Sequence, residues 1–291
     1  MASMRDIKRR KSSIQGTQQI TKAMKLVSTV KLQRARASAE RSKDYFTCMY
    51  DTVNSILKRV GNVEHRYLAA GESQRKAVIV ITSNRGLAGG YNSNVIKLVT
   101  RHPEWKKEDL DIYCLGNKGR EAFTRYGYTV KDCNNEIVES PVYADAAALS
   151  GQLLASFAEG QIGEIYLAYT NFKNTVSHIP TLLRLLPVGI DQESSQTEGQ
   201  QSKEAGAIMN FEPEDTEALD MLIPKYITSL IHGALRESVA SENGARMQAM
   251  DNATSTAEEM ISDLTLKYNR ARQGSITQEL TEIIAGAEAL G

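Results

Sequence analysis

The spacing of hydrophobic and polar positions changes twice along this chain and divides it into three. Met1 to Val60 contains no proline and one glycine, Gly16, and its apolar residues recur at helical spacing. Ile7, Ile14, Thr21 and Ser28 stand seven residues apart, and Met24 and Lys31 read as the second series between them. That is a heptad register with weak occupants. Tyr45, Phe46, Met49, Val53, Ile56, Leu57 and Val60 then give a fuller apolar face, which Gly61 and Asn62 end. From Glu214 to Gly286 a second helical pattern is broken only by Pro224 and a few glycines. Its start is rich, with Leu219, Leu222, Ile223, Tyr226, Ile227, Leu230, Ile231 and Leu235 on one face. Its later half carries Met250, Ala257, Leu264 and Ala271 in one series and Ala253, Met260, Lys267 and Gly274 in the other. At 1.5 Å per residue, stretches of roughly 55 and 70 residues predict helices about 80 and 105 Å long. The residues between them are too few to wrap such helices, so the two must pair. An antiparallel pair joins the rich ends and leaves the thin ones projecting.

The middle has another period. Lys76–Thr82 (KAVIVIT) is a continuous β-branched apolar run, which predicts a buried parallel strand. A helix follows near Ser93–Thr100, then a strand at Asp111–Leu115, and helices around Lys118–Tyr126 and Tyr143–Ala158. Glu164–Thr170 (EIYLAYT) is a further strand, and Thr175–Pro187 another, with Pro180 favouring a sheet edge. Alternating strands and helices predict an α/β domain inserted between the helical ends. The expected divisions are a coiled-coil helix over 1–60, an α/β domain over 61–190, an acidic linker over 191–213 and a second coiled-coil helix over 214–291.

Composition narrows this picture. Only 6% of the 291 residues are aromatic, so one core cannot span the chain, and no apolar run is long enough to cross a membrane as a helix. The opening MASMRDIKRRKSSIQ has no apolar segment of the kind a signal peptide needs, and its helical pattern argues against a transit segment. The formal net charge of zero hides a segregation. Residues 1–43 hold twelve Lys and Arg against Asp6 and Glu40, whereas 191–220 hold nine acids against Lys203. A basic helix and an acidic loop invite different partners or, more simply, form solvated faces.

Candidate chemistry is sparse. Cys48, Cys114 and Cys133 lack metal-ligand spacing and read as reduced thiols, although Cys114 and Cys133 could be neighbours in the fold. The four histidines form no cluster, so no metal site or cofactor is expected. SNRGLAGGYN (83–92) follows a strand and precedes a helix, where glycines can turn backbone N–H groups toward an anion. It matches no phosphate-loop pattern, and a structural turn explains its glycines equally well. Asp132 and Glu136 are not completed into an acid–base set, and Ser12 and Ser13 have no local base, so no catalytic residues are assigned. Residues 1–43 contain no aromatic side chain, which disfavours nucleic-acid tracking by the basic helix.

Three stretches carry a family resemblance: ITKAMKLVSTVKLQRA (20–35), SNRGLAGGYN (83–92) and NRARQGSITQELTEIIAGAEAL (269–290). Together they resemble the gamma subunit of F-type ATP synthases, of bacterial type. The last is the most specific, with Ile276, Thr277, Glu279, Glu282, Gly286 and Ala287 matching the family signature. The resemblance runs from Met4 to Leu290. There are departures. Asn84 stands where the family more often has Asp, and Ala88 where it has Cys. Gly244 falls where a helix would prefer alanine, a propensity loss of about 1 kcal/mol. The paired-cysteine insertion of chloroplast members is absent.

The resemblance implies an antiparallel coiled coil with an inserted Rossmann-like α/β domain. It implies a non-catalytic central-stalk rotor subunit of a proton-translocating ATP synthase, carrying torque between the membrane rotor ring and the catalytic alpha/beta hexamer. Expected partners are the alpha, beta and epsilon subunits and the ring. Lys22, Met24, Lys25, Arg272, Gln273, Thr277 and Glu279 are expected to contact the hexamer, and Glu193, Glu198 and Glu204 the foot. No nucleotide is expected to bind directly. The expected location is peripheral, on the cytoplasmic face of a bacterial cell membrane. A nucleotide-binding α/β enzyme and a coiled-coil nucleic-acid-binding protein are the alternative readings.

Overall fold

The computed structural model describes residues 4–60, 65–71, 73–175, 177–189 and 215–290. Contacts gather the chain into two compact units, Lys31–Ala245 and the pair Met1–Val30 with Arg246–Gly291. Two long helices, α1 (Met4–Val60) and α5 (Asp215–Leu290), contribute to both units. Gly61, Asn62 and the acidic stretch 191–213, with Glu193, Glu198 and Glu204, lie outside the described residues.

The larger unit is a sheet ordered β3-β2-β1-β4-β5, formed by β1 (Lys76–Ile81), β2 (Leu110–Leu115), β3 (Thr129–Asn134), β4 (Glu164–Phe172) and β5 (His178–Leu186). β1 to β4 are parallel; β5 is an antiparallel edge strand and holds Pro180, as the sequence leads one to expect. α2 (Tyr91–Thr100), α3 (Asn117–Arg125) and α4 (Tyr143–Ala158) complete the unit. β1 is central, so both its faces must be apolar. Ala77, Ile79 and Ile81 enter one core, with Leu153 and Phe157 of α4, Val53 and Ile56 of α1, and Leu219, Ile223 and Ile227 of α5. Val78 and Val80 enter the other, with Val95 and Val99 of α2 and Phe123 of α3. Each of these buried Val, Ile, Leu and Phe side chains contributes about 1.5–3 kcal/mol. The rich ends of the two helical patterns therefore do meet in one core.

β3 is absent from the sequence-based reading. TVKDCN shows no apolar alternation because it is an edge strand with most of its side chains exposed. A bulge leaves Lys131 out of its pairing with β2. The same ladder aligns Cys114 with Cys133, so the two thiols are neighbours, and both are free. Burial pushes the Cys114 thiol up to about 12, with the Cys133 thiol adding to the effect. Neither pair nor loop chemistry follows from so weakly ionised a group.

Gly244 has a packing reason that outweighs helix propensity. A Cβ placed there would lie 2.7 Å from Cε1 of His178 and 3.7 Å from Cε2 of Phe172. Gly244→Ala is expected to lower stability by about 1 kcal/mol in the wild type and to raise it by about as much in a His178→Ala background, where only propensity remains. Denaturant unfolding of the four chains of that cycle checks this; a gain in both backgrounds would mean the ring does not need the glycine.

Candidate functional site: the terminal coil and the end of the last helix

The smaller unit contains only helix. Lys25 Nζ donates to Asp251 Oδ1 at 2.6 Å, the Thr21 and Thr254 hydroxyls bond each other at 2.8 Å, and Gln18 Nε2 donates to Glu258 Oε1 at 3.0 Å. These pairs run in opposite directions along the two helices, which establishes an antiparallel coil. The seam is thin. Its buried members are Thr21, Ser28, Met250, Thr254, Ala257 and Leu264. Each hydroxyl has one proton, so one donates across the seam while the other donates back to its own helix, at Gln18 O for Thr21 or Met250 O for Thr254. Thr21→Val should therefore cost about 0.5–1.5 kcal/mol, while Thr21→Val with Thr254→Val should cost no more than the single change. Thermal unfolding of the three chains checks it, and strictly additive losses would contradict it.

The second heptad series needs correction in both helices. Lys31 is exposed and Leu32 buried, and Lys25 rather than Met24 reaches across the seam. On α5 Met260 is 49% exposed, whereas Thr254 is buried and Ile261, Tyr268 and Ser275 are half-buried. The spacing from the first series is four residues on both helices, not three. Hydropathy could not decide it, because Ala253 and Met260 are as apolar as Thr254 and Ile261. Long side chains such as Lys25 and Gln18 join the seam by covering it with their stems and bonding acids beyond.

The register locates the other candidates. Residues 18 and 258, 21 and 254, and 25 and 251 are opposed, so Met4 falls opposite about residue 272. Every residue from Ile276 to Ala287 is exposed. Arg272, Gln273, Thr277 and Glu279 all lie exposed in this last part of α5. Thr277 Oγ1 donates to Gln273 O at 2.9 Å, and Glu279 accepts a long 3.5 Å bond from Ser275. Lys22 is exposed and Met24 half-buried, and Lys22 and Lys25 line a shallow groove with Asp251 and Glu258. The structure thus assigns Lys25 an intramolecular partner. The pair is half exposed and contributes no more than about 1 kcal/mol.

Sequence reasoning missed the most conspicuous surface. Ten of the sixteen large, exposed hydrophobic side chains among the described residues belong to this unit, including Ile20, Leu26 and Val27 on α1. Ile276, Leu280, Ile283 and Ile284 are 48–68% exposed at spacing i, i+4, i+7, i+8, which is an apolar helix stripe with no helix opposite it among the described residues. The spacing is visible in the sequence. Neighbouring threonines soften the polar part of this surface, because Thr277 and Thr281 bond their own i−4 carbonyls and present methyl groups outward.

The glycine-rich loop uses its polar groups internally. Ser83 N donates to Asn92 Oδ1 at 2.9 Å, Ser83 Oγ to Arg85 O at 2.6 Å, and Asn84 Nδ2 to Asn135 O at 2.7 Å. Asn84 Oδ1 accepts the Asn117 N–H at the start of α3. Leu87 and Gly89 take positive φ, at 64° and 55°, to turn the chain into α2. This is the stitching of a tight turn. Among the described residues Asp132 accepts only the adjacent Cys133 N–H, and no three His, Cys, Asp or Glu gather as a metal site.

Comparisons with known proteins agree over the full length. The family model described as ATP synthase matches residues 3–290. The ATP synthase gamma chain of Lachnoclostridium phytofermentans is 61% identical, with all of both chains covered. The "ATP synthase gamma chain, sodium ion specific" of Acetobacterium woodii is 38% identical over 99% of each chain. Among solved structures, a chain of the Euglena gracilis mitochondrial ATP synthase (OSCP/F1/c-ring, rotational state 3) matches 99% of this chain and 94% of its own, with a TM-score of 0.68 at 18% identity, which speaks for the fold.

Proposed function

Because the chain belongs to the ATP synthase gamma-chain family, we propose that it is the central-stalk rotor subunit of an ion-translocating ATP synthase, carrying torque between the membrane ring and the alpha/beta hexamer. The observation that supports this reading is a thin coil that carries ten of the sixteen large exposed hydrophobic side chains among the described residues, four of them in a stripe past residue 272 with no helix opposite among those residues. A rotating element has to touch its bearing at every angle without adhering at one. Exposed Ile, Leu and Val among self-bonded threonines slide over an apolar sleeve without breaking strong directional bonds. The subunit itself makes no chemical step; ATP is handled by its neighbours.

Lys22, Met24, Arg272, Gln273, Thr277 and Glu279 are assigned to the hexamer contact, with Lys25 acting there through its pair with Asp251. Glu193, Glu198 and Glu204 are assigned to the foot, facing basic groups of the ring or an epsilon subunit. The chain is placed at the cytoplasmic face of a bacterial membrane, held there through the complex. Proton coupling is the default for the ring. A gamma-chain relative named as sodium-specific aligns over 99% of both chains at 38% identity, so ion choice is assigned to the ring and not to this chain.

Affinity purification of the tagged chain from its native membrane tests the reading. It should bring down a stoichiometric complex with ATPase activity, while the isolated chain shows no saturable ATP binding. Saturable binding of ATP by the chain alone would favour the α/β enzyme reading. Salt-sensitive DNA binding would favour the nucleic-acid tether.

A further inference from the structure

The end of the β4–β5 hairpin is docked on the middle of α5 through an unusual contact. Ser241 Oγ donates to Thr170 O at 3.2 Å, Thr170 N approaches Ser238 Oγ at 3.5 Å, and the Phe172 N–H donates to the Glu237 carboxyl. Phe172 pairs with His178 across the hairpin, and the His178 ring closes over Gly244. Yet Thr170 Oγ1, both ring nitrogens of His178 and Oε2 of Glu237 are buried and find no well-formed hydrogen bond among the described residues. No ammonium or guanidinium among them faces Glu237; Tyr169 of β4 is the titratable group that feels its charge. Burying an ionised carboxylate with one bare oxygen is costly, and the group binds a proton instead.

We propose that Glu237 is an internal proton-binding site: the hairpin end docks on α5 with this carboxyl protonated and releases the proton to solvent when it lifts away. Desolvation pushes the docked carboxyl up to about 7, from an ordinary 4.5. Docking is therefore strongest below pH 4.5, weakens about tenfold per pH unit as pH rises between 4.5 and 7, and is constant above. His178 works in the opposite sense. Burial lowers its pKa from 6.5, although the Thr175 backbone favours its charged form, so its share of docking is intact above 6.5 and lost as pH falls below that. Where the two ranges overlap they offset one another. In the wild type the fall due to Glu237 should be uncompensated above pH 6.5, where His178 adds no pH dependence of its own.

Hydrogen exchange of residues 169–178 in the full chain, corrected for intrinsic rates, separates the two. In His178→Asn, protection should drop on the order of a hundredfold between pH 4.5 and just above 7. Adding Glu237→Gln should flatten that dependence whatever its effect on the overall level, and Glu237→Gln alone should leave protection rising with pH through the histidine range. If the double variant keeps the fall, Glu237 is not the site. Infrared spectroscopy of the wild type covers the case in which the variants do not fold. One protonated-carboxyl band should persist until about pH 7, and its loss together with the ordinary carboxylates near 4.5 would overturn the proposal.

Discussion

Replacing Gly116 with alanine is expected to lower the unfolding free energy by roughly 2–6 kcal/mol, combining left-handed backbone strain with overpacking. Gly116 has φ of +108°, and a Cβ there would sit 2.2 Å from the Thr82 carbonyl oxygen. That carbonyl cannot yield. Thr82 N donates to Leu115 O, and Gly119 N donates to Thr82 Oγ1 at 2.9 Å, so one residue ties the ends of β1 and β2 to the first turn of α3. Domains are usually stable by only 5–15 kcal/mol, so the sheet should be compromised at physiological temperature. Gly151→Ala is the matched control. Its added Cβ meets nothing within 4 Å on the exposed side of α4, and it should stabilise by about 0.5–1 kcal/mol. Denaturant midpoints of the two variants check this, and similar small changes in both would mean that the Thr82 contact can relax.

The largest functional effect is expected at the end of α5. Arg272→Leu combined with Gln273→Leu should slow ATP hydrolysis by the assembled complex on the order of tenfold, equivalent to about 1.4 kcal/mol of barrier. Both side chains are exposed and lie at the end of the described pairing with α1. The two leucines keep helix propensity and add apolar area, so folding should be unaffected. What is lost is a guanidinium and an amide that, in the proposed contact, bond carboxylates or carbonyls of a beta subunit at one rotor angle. Nucleotide affinity at the alpha/beta sites should be largely unchanged, because no binding group is touched. Steady-state hydrolysis with nucleotide titration decides the matter; wild-type turnover would reduce this face to packing.

Much of this architecture is legible in the sequence wherever burial is one-sided and strong. KAVIVI has to be a central strand because no other environment hides five such residues in a row, and Pro180 has to lie at an edge. The rich faces around Val53 and Leu219 have to meet. Legibility fails where packing rests on small or polar side chains. The seam of the coil is read one residue off in its second series because Thr254, Lys25 and Gln18 take positions usually given to aliphatic residues. β3 is hidden by its exposed, charged edge. Glu237 looks like any helix-surface glutamate until the hairpin that buries it is in place, and Gly244 looks like a weak point until His178 is seen over it. The site residues follow the same rule. Arg272, Gln273, Thr277 and Glu279 are proposed from the family resemblance, whereas the stripe of Ile276, Leu280, Ile283 and Ile284 needs only its spacing.

The most direct test of the rotor reading is to watch the chain turn. Thr124 is exposed on α3, and Cys48 is the exposed native thiol. A complex carrying Thr124→Cys and Cys48→Ser, immobilised through its alpha/beta hexamer and labelled with an optical probe at position 124, should show continuous unidirectional rotation on adding ATP and stop when ATP is removed. Sustained hydrolysis with a stationary probe would contradict the account.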